Sequence, residues 1–319
     1  MLSRVADSLY WMSRYLERAK HTARMLNVHL HESLDRNPDR TREHWERVFR
    51  SLEISPPAEW NPLLATRVLA FDPSNRSSIW SSVSAARENA RQVREQISSE
   101  MWLQLNRLYL RFKDSNLDSV WKEQPHEFFH DLIEDIFLFN GITASTMNHG
   151  EGWHFIQLGR FLERATATAT LLNEYFASSS ALDPLQGDGY LEWIGLLKSC
   201  TAFEPYCRVY TADIRPERIA EFLLLNPESP HSITFAVNRI QVAAQSLVQR
   251  PSHGDHRKPN KLLRLAGKLK ATLSFSHIEE LMEEGLGPAL QSIQRQCDHI
   301  HDALHQTHIA YPVHNALVN

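Results

Sequence analysis

One fourteen-residue phrase occurs twice in this chain, and it limits what the chain can fold into. Residues 14–27 read RYLERAKHTARMLN and residues 160–173 read RFLERATATATLLN, so nine of the fourteen positions are identical at an offset of 146 residues. Around both copies, apolar residues recur at alternating spacings of three and four, which places them on one face of an α-helix. Small alanines at the centre of each face allow a second helix to approach closely. We therefore expect two long helices with the same pattern of residues, which pack against each other through their apolar faces.

A second pair of matching segments suggests that the whole chain is duplicated. Residues 62–83 align with residues 216–237 at an offset of 154. In both segments a proline begins a helix, an Asp-Pro or Asn-Pro turn follows, and a serine precedes the next helix. We predict a single domain over 1–319 that consists of two pseudo-symmetric halves, 1–150 and 151–319.

The composition favours an all-α fold. The 319 residues include only 11 glycines, and alternating runs of β-branched residues are almost absent. Helical periodicity is present along most of the chain instead. The sequence therefore predicts a helical bundle, in which one helix extends without a break over 77–112.

Charge and cysteine content exclude several classes of protein. The net charge is −4, so no basic footprint for a nucleic acid is present. No run approaches the ~20 apolar residues that a membrane span requires, and the N-terminal segment lacks the pattern of a signal peptide. The three cysteines suit a reducing compartment. We expect a cytoplasmic protein with no membrane or nucleic-acid partner.

Packing explains the apolar residues of the repeated phrase but leaves its charged residues unexplained. These charged residues are Arg14, Glu17, Arg18, Arg160, Glu163 and Arg164. In one interpretation they form ion pairs between the two helices across the pseudo-twofold axis. In the other they line a pocket, because arginine is well suited to bind carboxylate or phosphate groups. Arg14 and Glu17 are three residues apart and could also pair on their own helix.

A second charged segment has no counterpart in the other half. Glu88, Arg91 and Glu95 share one face of the helix predicted over 77–112, whereas the corresponding segment 238–249 is nearly free of charge at those positions. Residues that differ between duplicated halves are candidates for a binding site. The alternative is a solvated helix surface.

The segment that introduces the second copy of the phrase is a third candidate. His149 and Glu151 alternate with two glycines immediately before the helix. Free N–H groups at a helix start favour an anion, so these two residues are candidates for a polar site. The alternative is a helix cap in which Glu151 complements the helix dipole.

The histidines of the chain raise the question of a metal site. Glu-x-x-His spacings occur several times, and in a helical bundle they can indicate a di-iron site. With 17 histidines such spacings arise by chance, and they do not recur at matched positions in the two halves. We therefore predict neither a metal site nor a cofactor, and leave open whether the histidine-rich segment 298–314 binds metal.

Four segments resemble those of a known bacterial family. They are the N-terminal 1–30, ARENARQVREQISSEMWLQLN (86–106), HGEGWHFIQLGRFLERA (149–165) and FLLLNPESPHSI (222–233). Together they resemble the alpha-E domain proteins over essentially the whole chain. The resemblance implies an all-helical protein that acts beside circularly permuted ATP-grasp ligases and transglutaminase-like proteases. That association implies a role in making or processing peptide-like amide bonds.

The resemblance also marks particular residues. The family's glutamates and arginines fall on Glu17, Glu88, Glu95, Glu151, Glu163, Arg14, Arg18, Arg91, Arg160 and Arg164. This chain departs from the family pattern at Lys20, where an acidic residue is common, and at Thr170 and His231, where arginine is usual.

Three functions remain open from the sequence. The first is an accessory partner that binds an ATP-grasp ligase, or its peptide-like small molecule, through Arg/Glu-lined helices. The second is an enzyme of the same pathway in which Glu17 or Glu151 acts as an acid or base. The third is a structural helical scaffold. Convergence of the glutamates on one pocket would favour the enzyme.

Overall fold

The structure is a computed structural model that describes residues 1–35, 38–57, 61–178, 187–248 and 260–309. Within these ranges the regular elements are helices, and no strand is present. The first half contains α1 (Ser3–Asp35), α2 (Pro38–Ser51), α3 (Pro62–Thr66), α4 (Ile79–Gln92), α5 (Ser99–Asp114), α6 (Leu117–Lys122) and α7 (Pro125–Thr146). The second half contains α8 (Glu151–Ser178), α9 (Gly187–Ser199), α10 (Phe203–Tyr210), α11 (Pro216–Leu225), α12 (Ile233–Val248), α13 (Lys261–Ser274), α14 (Ile278–Glu283) and α15 (Leu286–Leu304). The predicted all-α fold is confirmed.

The two copies of the repeated phrase lie on α1 and α8, which form the most extensive helix contact among the described residues. The two helices run in the same direction, since Gly152 lies against Leu9 near their starts and Glu163 contacts Arg18 further along. The apolar stripe is buried in both helices, at Leu9, Met12, Leu16, Ala19, Ala23 and Leu26 in α1 and at Phe155, Leu158, Leu162, Ala165, Ala169 and Leu172 in α8. The stripe therefore supplies the hydrophobic core, as its spacing predicts.

The remaining helices cover this central pair in a matching way. Helix α1 packs against α4 and α7, and α8 packs against α12 and α15. The hydroxyl of Ser78 caps α4 by accepting from the N–H of Ser81, and the hydroxyl of Ser232 caps α12 by accepting from the N–H of Phe235. These two caps are related by the offset of 154 residues. They agree with a duplication, which stays a prediction from the sequence.

The uninterrupted helix predicted over 77–112 is wrong. Helix α4 ends at Gln92, a short 3-10 turn follows, and α5 begins at Ser99. The break has a local cause, because the hydroxyl of Ser98 accepts from the N–H of Met101 and starts a new helix. Val93 and Ile97 are buried on either side of the turn. Glu95 consequently does not share a helical face with Glu88 and Arg91.

Candidate functional site

The charged residues of the two phrases pair across the contact between α1 and α8. Arg14 Nε lies 2.7 Å from Glu163 Oε2, and Arg18 Nε lies 2.6 Å from Glu163 Oε1. The reciprocal contacts involve Glu17, whose Oε1 lies 2.7 Å from Arg164 Nε and whose Oε2 lies 3.8 Å from Arg160 Nε. We call this set the ion-paired seam; it consists of Arg14, Glu17, Arg18, Arg160, Glu163 and Arg164.

The contacts within the seam are the ion pairs between the two helices that the first sequence-based interpretation describes. Each glutamate contacts the two arginines of the opposite helix, and the two sets are related by the offset of 146 residues. The suggested pairing of Arg14 with Glu17 on one helix is wrong, because Arg14 reaches across to Glu163. The two helices bring these groups close enough for bidentate pairing: Arg18 contacts both oxygens of Glu163.

Lys20 adds a further cation to one end of the seam. Its Nζ lies 2.7 Å from Glu17 Oε1, and each side chain is only 4% exposed. Burial lowers the pKa of Lys20 to about 7, and the favourable contact with Glu17 only partly opposes this shift. Burial by itself would raise the pKa of Glu17, but Arg164 and Lys20 outweigh it and hold that pKa well below its ordinary range. Glu17 is therefore an ionised carboxylate at neutral pH.

The other carboxylate of the seam is also ionised. Burial tends to raise the pKa of Glu163, but Arg14 and Arg18 lower it below its ordinary value. Burial, followed by the neighbouring charge of Arg164, lowers the pKa of Arg160 to about 10, so this guanidinium also stays charged at neutral pH. Each carboxylate thus faces at least two cations, and the seam as a whole carries excess positive charge.

A pocket with a volume of about 320 Å³ opens beside the Glu163 end of the seam. Its lining is Arg14, Arg18, His21, Thr22, Ser51, Leu52, Glu53, Ser77, Glu163, Thr166, Ala167 and Thr170. Arg18 is 27% exposed, twice as much as Arg14. The pocket therefore offers a partly solvated guanidinium surrounded by hydroxyl groups. We call it the Arg18 pocket.

A much smaller cavity lies at the Glu17 end of the seam. Its volume is about 10 Å³, which is close to what one water molecule needs. Lys20, Arg164 and His231 contribute to its walls, and Arg164 also donates to the carbonyl oxygen of Pro230. This cavity has no room for a molecule larger than water, whereas the Arg18 pocket has room for a small ligand.

His21 lines both cavities and makes the seam sensitive to acid. Burial lowers its pKa to about 4 from an ordinary value of 6.5. Below pH 6.5 the unfolded chain binds a proton at this residue while the folded chain does not, so stability falls as the pH falls towards 4. Glu17 does not contribute in this window, because its stabilisation is lost only below the ordinary glutamate pKa.

We expect the His21→Gln variant to lose less stability on acidification than the unsubstituted chain. Between pH 7 and pH 4.5 the difference should be about 2 kcal/mol, from about 1.4 kcal/mol per pKa unit. Urea unfolding at both pH values measures it. The change in unfolding free energy between the two pH values is compared, so any constant cost of the substitution cancels. An equal change in both proteins would contradict the role of His21.

The predicted pair on α4 lies away from the seam. Arg91 Nε and Glu88 Oε2 are 2.9 Å apart on the surface, and the side chains are 60% and 48% exposed. Such an exposed pair on one helix contributes little to the stability of the fold. The structure thus places Glu88 and Arg91 on a solvated face.

Two of the three remaining candidates lie at a separate shallow depression with a volume of about 490 Å³. Glu95 and Glu151 both line it, and Glu151 Oε2 lies 2.8 Å from the amino group of Met1. His149, just before α8, stacks on Trp153 with ring centroids 4.0 Å apart. The structure therefore separates Glu151 from Glu17, although the sequence groups them as possible catalytic residues.

Three residues at which the sequence was expected to depart from the family pattern border the seam cavities. Lys20 and His231 line the small cavity, and Thr170 lines the Arg18 pocket. The sequence alone does not show that these three residues lie near one another. The fold brings them together around the ion-paired seam.

A comparison with protein families identifies the chain. Residues 1–309 match the family described as Alpha-E, a predicted alpha-helical domain with a conserved ER motif. The chain belongs to the Alpha-E family. Its Glu-Arg dipeptides include Glu17-Arg18 and Glu163-Arg164, which form the core of the ion-paired seam. In both of these dipeptides the Glu binds the two arginines of the opposite helix.

Similar curated proteins come from mycobacteria. Uncharacterised proteins of Mycobacterium bovis and of Mycobacterium tuberculosis strain CDC 1551 are each 23% identical over 355 aligned residues. The alignment covers 97% of this chain but only 37% of each relative, so this Alpha-E chain spans little more than a third of their length. No solved structure matches the chain. Among the described residues, no helix is long and apolar enough to cross a membrane.

Proposed function

We propose that this Alpha-E protein is a non-catalytic partner of an ATP-grasp amide-ligase system and holds a peptide-like substrate or product in the Arg18 pocket. The observation that carries the proposal is a partly exposed guanidinium group, that of Arg18, beside an open cavity. Glu163 balances only one of the two guanidinium groups, and Arg18 remains 27% exposed in a pocket of about 320 Å³. That volume lies in the range of small-molecule sites.

The lining of the Arg18 pocket suits a peptide terminus. Arginine binds a carboxylate through two parallel hydrogen bonds, and the hydroxyls of Thr22, Thr166 and Thr170 can donate or accept beside it. Glu53 belongs to the same lining and is exposed, so it can receive an ammonium group. A zwitterionic peptide carries both of these charges.

Two further observations support action beside another protein. The family resemblance implies an association with ATP-grasp ligases and transglutaminase-like proteases. In the mycobacterial relatives, the segment similar to this chain accounts for only 37% of a longer polypeptide. There the Alpha-E segment is covalently joined to additional sequence, which is the arrangement that a binding module working with a second domain would have.

The geometry disfavours the enzyme alternative at Glu17. A general base needs a pKa near the operating pH and access to the substrate. Glu17 is 4% exposed, contacts Arg164 and Lys20, and has a pKa held well below its ordinary range. Its carboxylate therefore serves to hold the two helices together. Turnover by the isolated chain that is abolished in Glu17→Gln would favour the enzyme instead.

We expect the Arg18→Gln variant to bind short peptides at least tenfold more weakly, because a hydrogen bond to a charged group contributes about 1.5–3 kcal/mol. Calorimetric titration with tripeptides that carry a free C-terminal carboxylate, and with their amidated forms, measures this. The free acids should bind and the amides should not. The ligase encoded in the same genome should co-purify with the chain and form ADP faster in its presence.

The matched control is Arg91→Gln, which removes an exposed arginine from the surface pair on α4. It should leave peptide binding and ligase stimulation unchanged. Equal binding of free and amidated peptides, or equal losses in the two variants, would refute the Arg18 pocket as the site. Failure of the ligase to co-purify would refute the partner role independently.

A further inference from the structure

A compact group of metal-ligating side chains lies far along α1 from the seam. His29 and Glu32 are on α1, and His44 is on α2. His29 Nδ1 lies 3.3 Å from Glu32 Oε2, and His44 Nε2 lies 3.6 Å from the same oxygen. One ligand atom from each of the three residues falls within 4.8 Å of the other two. We call this group the His-Glu-His cluster.

The two separations from Glu32 agree with tetrahedral coordination. Zinc binds histidine nitrogen and carboxylate oxygen at about 2.0–2.2 Å, so neighbouring ligands of a tetrahedral site lie about 3.3–3.6 Å apart. Both measured distances to Glu32 fall in this range. Ligands of Ca²⁺ or Mg²⁺ are predominantly oxygen atoms, which a pair of histidines does not provide. The donor set therefore selects a transition metal.

The burial and the support of the cluster are those expected of a metal site. Each histidine side chain is only 1% exposed and Glu32 is 16% exposed, so one side of the group remains accessible. The ligands come from two helices, which hold them more firmly than loops would. Glu32 Oε1 also lies close to Gly195 of α9, where no side chain intrudes.

The cluster does not belong to the repeated plan of the two halves. At the offset of 146 residues, His29 corresponds to Tyr175 and Glu32 to Ser178. If His29 and Glu32 served a packing role common to both halves, similar side chains would be expected at Tyr175 and Ser178. The cluster therefore requires an explanation of its own.

We propose that His29, Glu32 and His44 bind one divalent transition-metal ion, and that Zn²⁺ fits the set best. Two histidines and one glutamate leave the fourth tetrahedral position to water, the arrangement of zinc sites that react rather than only support the fold. Bound metal would fasten α2 to the end of α1. The sequence does not reveal this set through a Glu-x-x-His spacing. It combines a His-x-x-Glu spacing, His29 and Glu32, with His44, which lies twelve residues after Glu32.

The test uses the purified chain after removal of metal with a chelator. Zn²⁺ alone is then added, and bound metal is counted by elemental analysis after dialysis while affinity is measured by calorimetry. We expect one tightly bound equivalent and a melting temperature that rises with zinc concentration, because the ion binds the folded state. Co²⁺ added instead should give the intense visible absorption of a tetrahedral centre.

Variants assign the ion to the cluster. Glu32→Gln and His44→Gln should each weaken zinc binding by more than tenfold, since even outer-shell changes cost 10–100-fold. The matched control is His299→Gln, which removes an exposed histidine from the histidine-rich α15 and should leave the tight equivalent unchanged.

The proposal is overturned if the unsubstituted chain retains no equivalent of zinc, or if the His29→Asn/His44→Gln double variant still retains one. Circular dichroism shows whether that double variant folds. If it does not fold, the Co²⁺ spectrum of the unsubstituted chain decides, and the weak absorption of an octahedral ion would overturn the proposal. None of these outcomes depends on the Arg18 pocket.

Discussion

The Glu17→Gln variant should unfold with a free energy about 3–5 kcal/mol smaller than that of the unsubstituted chain. Removing one partner of a buried ion pair leaves the other charge uncompensated, and losses of this size follow. Here the amide that replaces the carboxylate leaves Arg164 without a counter-charge and Lys20 without its carboxylate partner, and both side chains are 4% exposed. Arg160, whose Nε lies 3.8 Å from the same carboxylate, is affected as well.

The measurement is equilibrium unfolding in urea at pH 7.5, with the change in midpoint converted through an unchanged slope. The Glu88→Gln variant is the matched control, because it removes the same charge from an Arg-Glu pair whose side chains are 60% and 48% exposed. It should leave the unfolding midpoint almost unchanged, because an exposed ion pair contributes little to stability. If Glu17→Gln were no more destabilising than this control, the seam would not hold the two helices together.

A second substitution tests how much of this loss comes from Lys20. Lys20 contributes a charge that burial opposes, as its pKa of about 7 indicates. Adding Lys20→Met to Glu17→Gln should therefore recover part of the loss, since it removes a buried amino group that has lost its carboxylate partner.

The sequence predicted much of the central architecture because apolar spacing has a direct geometric meaning. Stripe residues such as Leu16 and Leu162 are buried where the helical period places them. The charged residues were predicted less well, since spacing along one helix says nothing about the neighbouring helix. Arg14 is three residues from Glu17 but binds Glu163, and this choice depends on how α1 and α8 pack.

The sites outside the repeated phrase show the same limit. The predicted grouping of Glu88, Arg91 and Glu95 failed because Ser98 starts a new helix. A histidine on α2 and a glutamate on α1 come together only through tertiary packing, so the His-Glu-His cluster had no sequence signature. Periodicity therefore predicted which faces are buried, while the partners across each contact required the structure.

The Gly159→Ala variant should be destabilised by about 1–3 kcal/mol, the usual cost of inserting atoms into a well-packed contact. A Cβ atom at this position would overlap the carbonyl oxygen of Tyr10 and the hydroxyl of Ser13 on α1. The serine hydroxyl can rotate away, but the carbonyl belongs to the backbone of α1, so the helices must separate. That movement also stretches the contacts of the nearby Glu163, and binding in the Arg18 pocket should weaken with stability.

Gly141→Ala is the matched control for this last substitution. Gly141 lies inside α7, and no atom approaches within 4 Å of the position that its Cβ would occupy. Alanine there should stabilise the chain by about 0.5–1 kcal/mol, because it lowers the entropy cost of forming a helix. Thermal and urea unfolding of both variants should thus give opposite signs. Two stabilising alanines would mean that α1 and α8 do not approach backbone to backbone at Gly159.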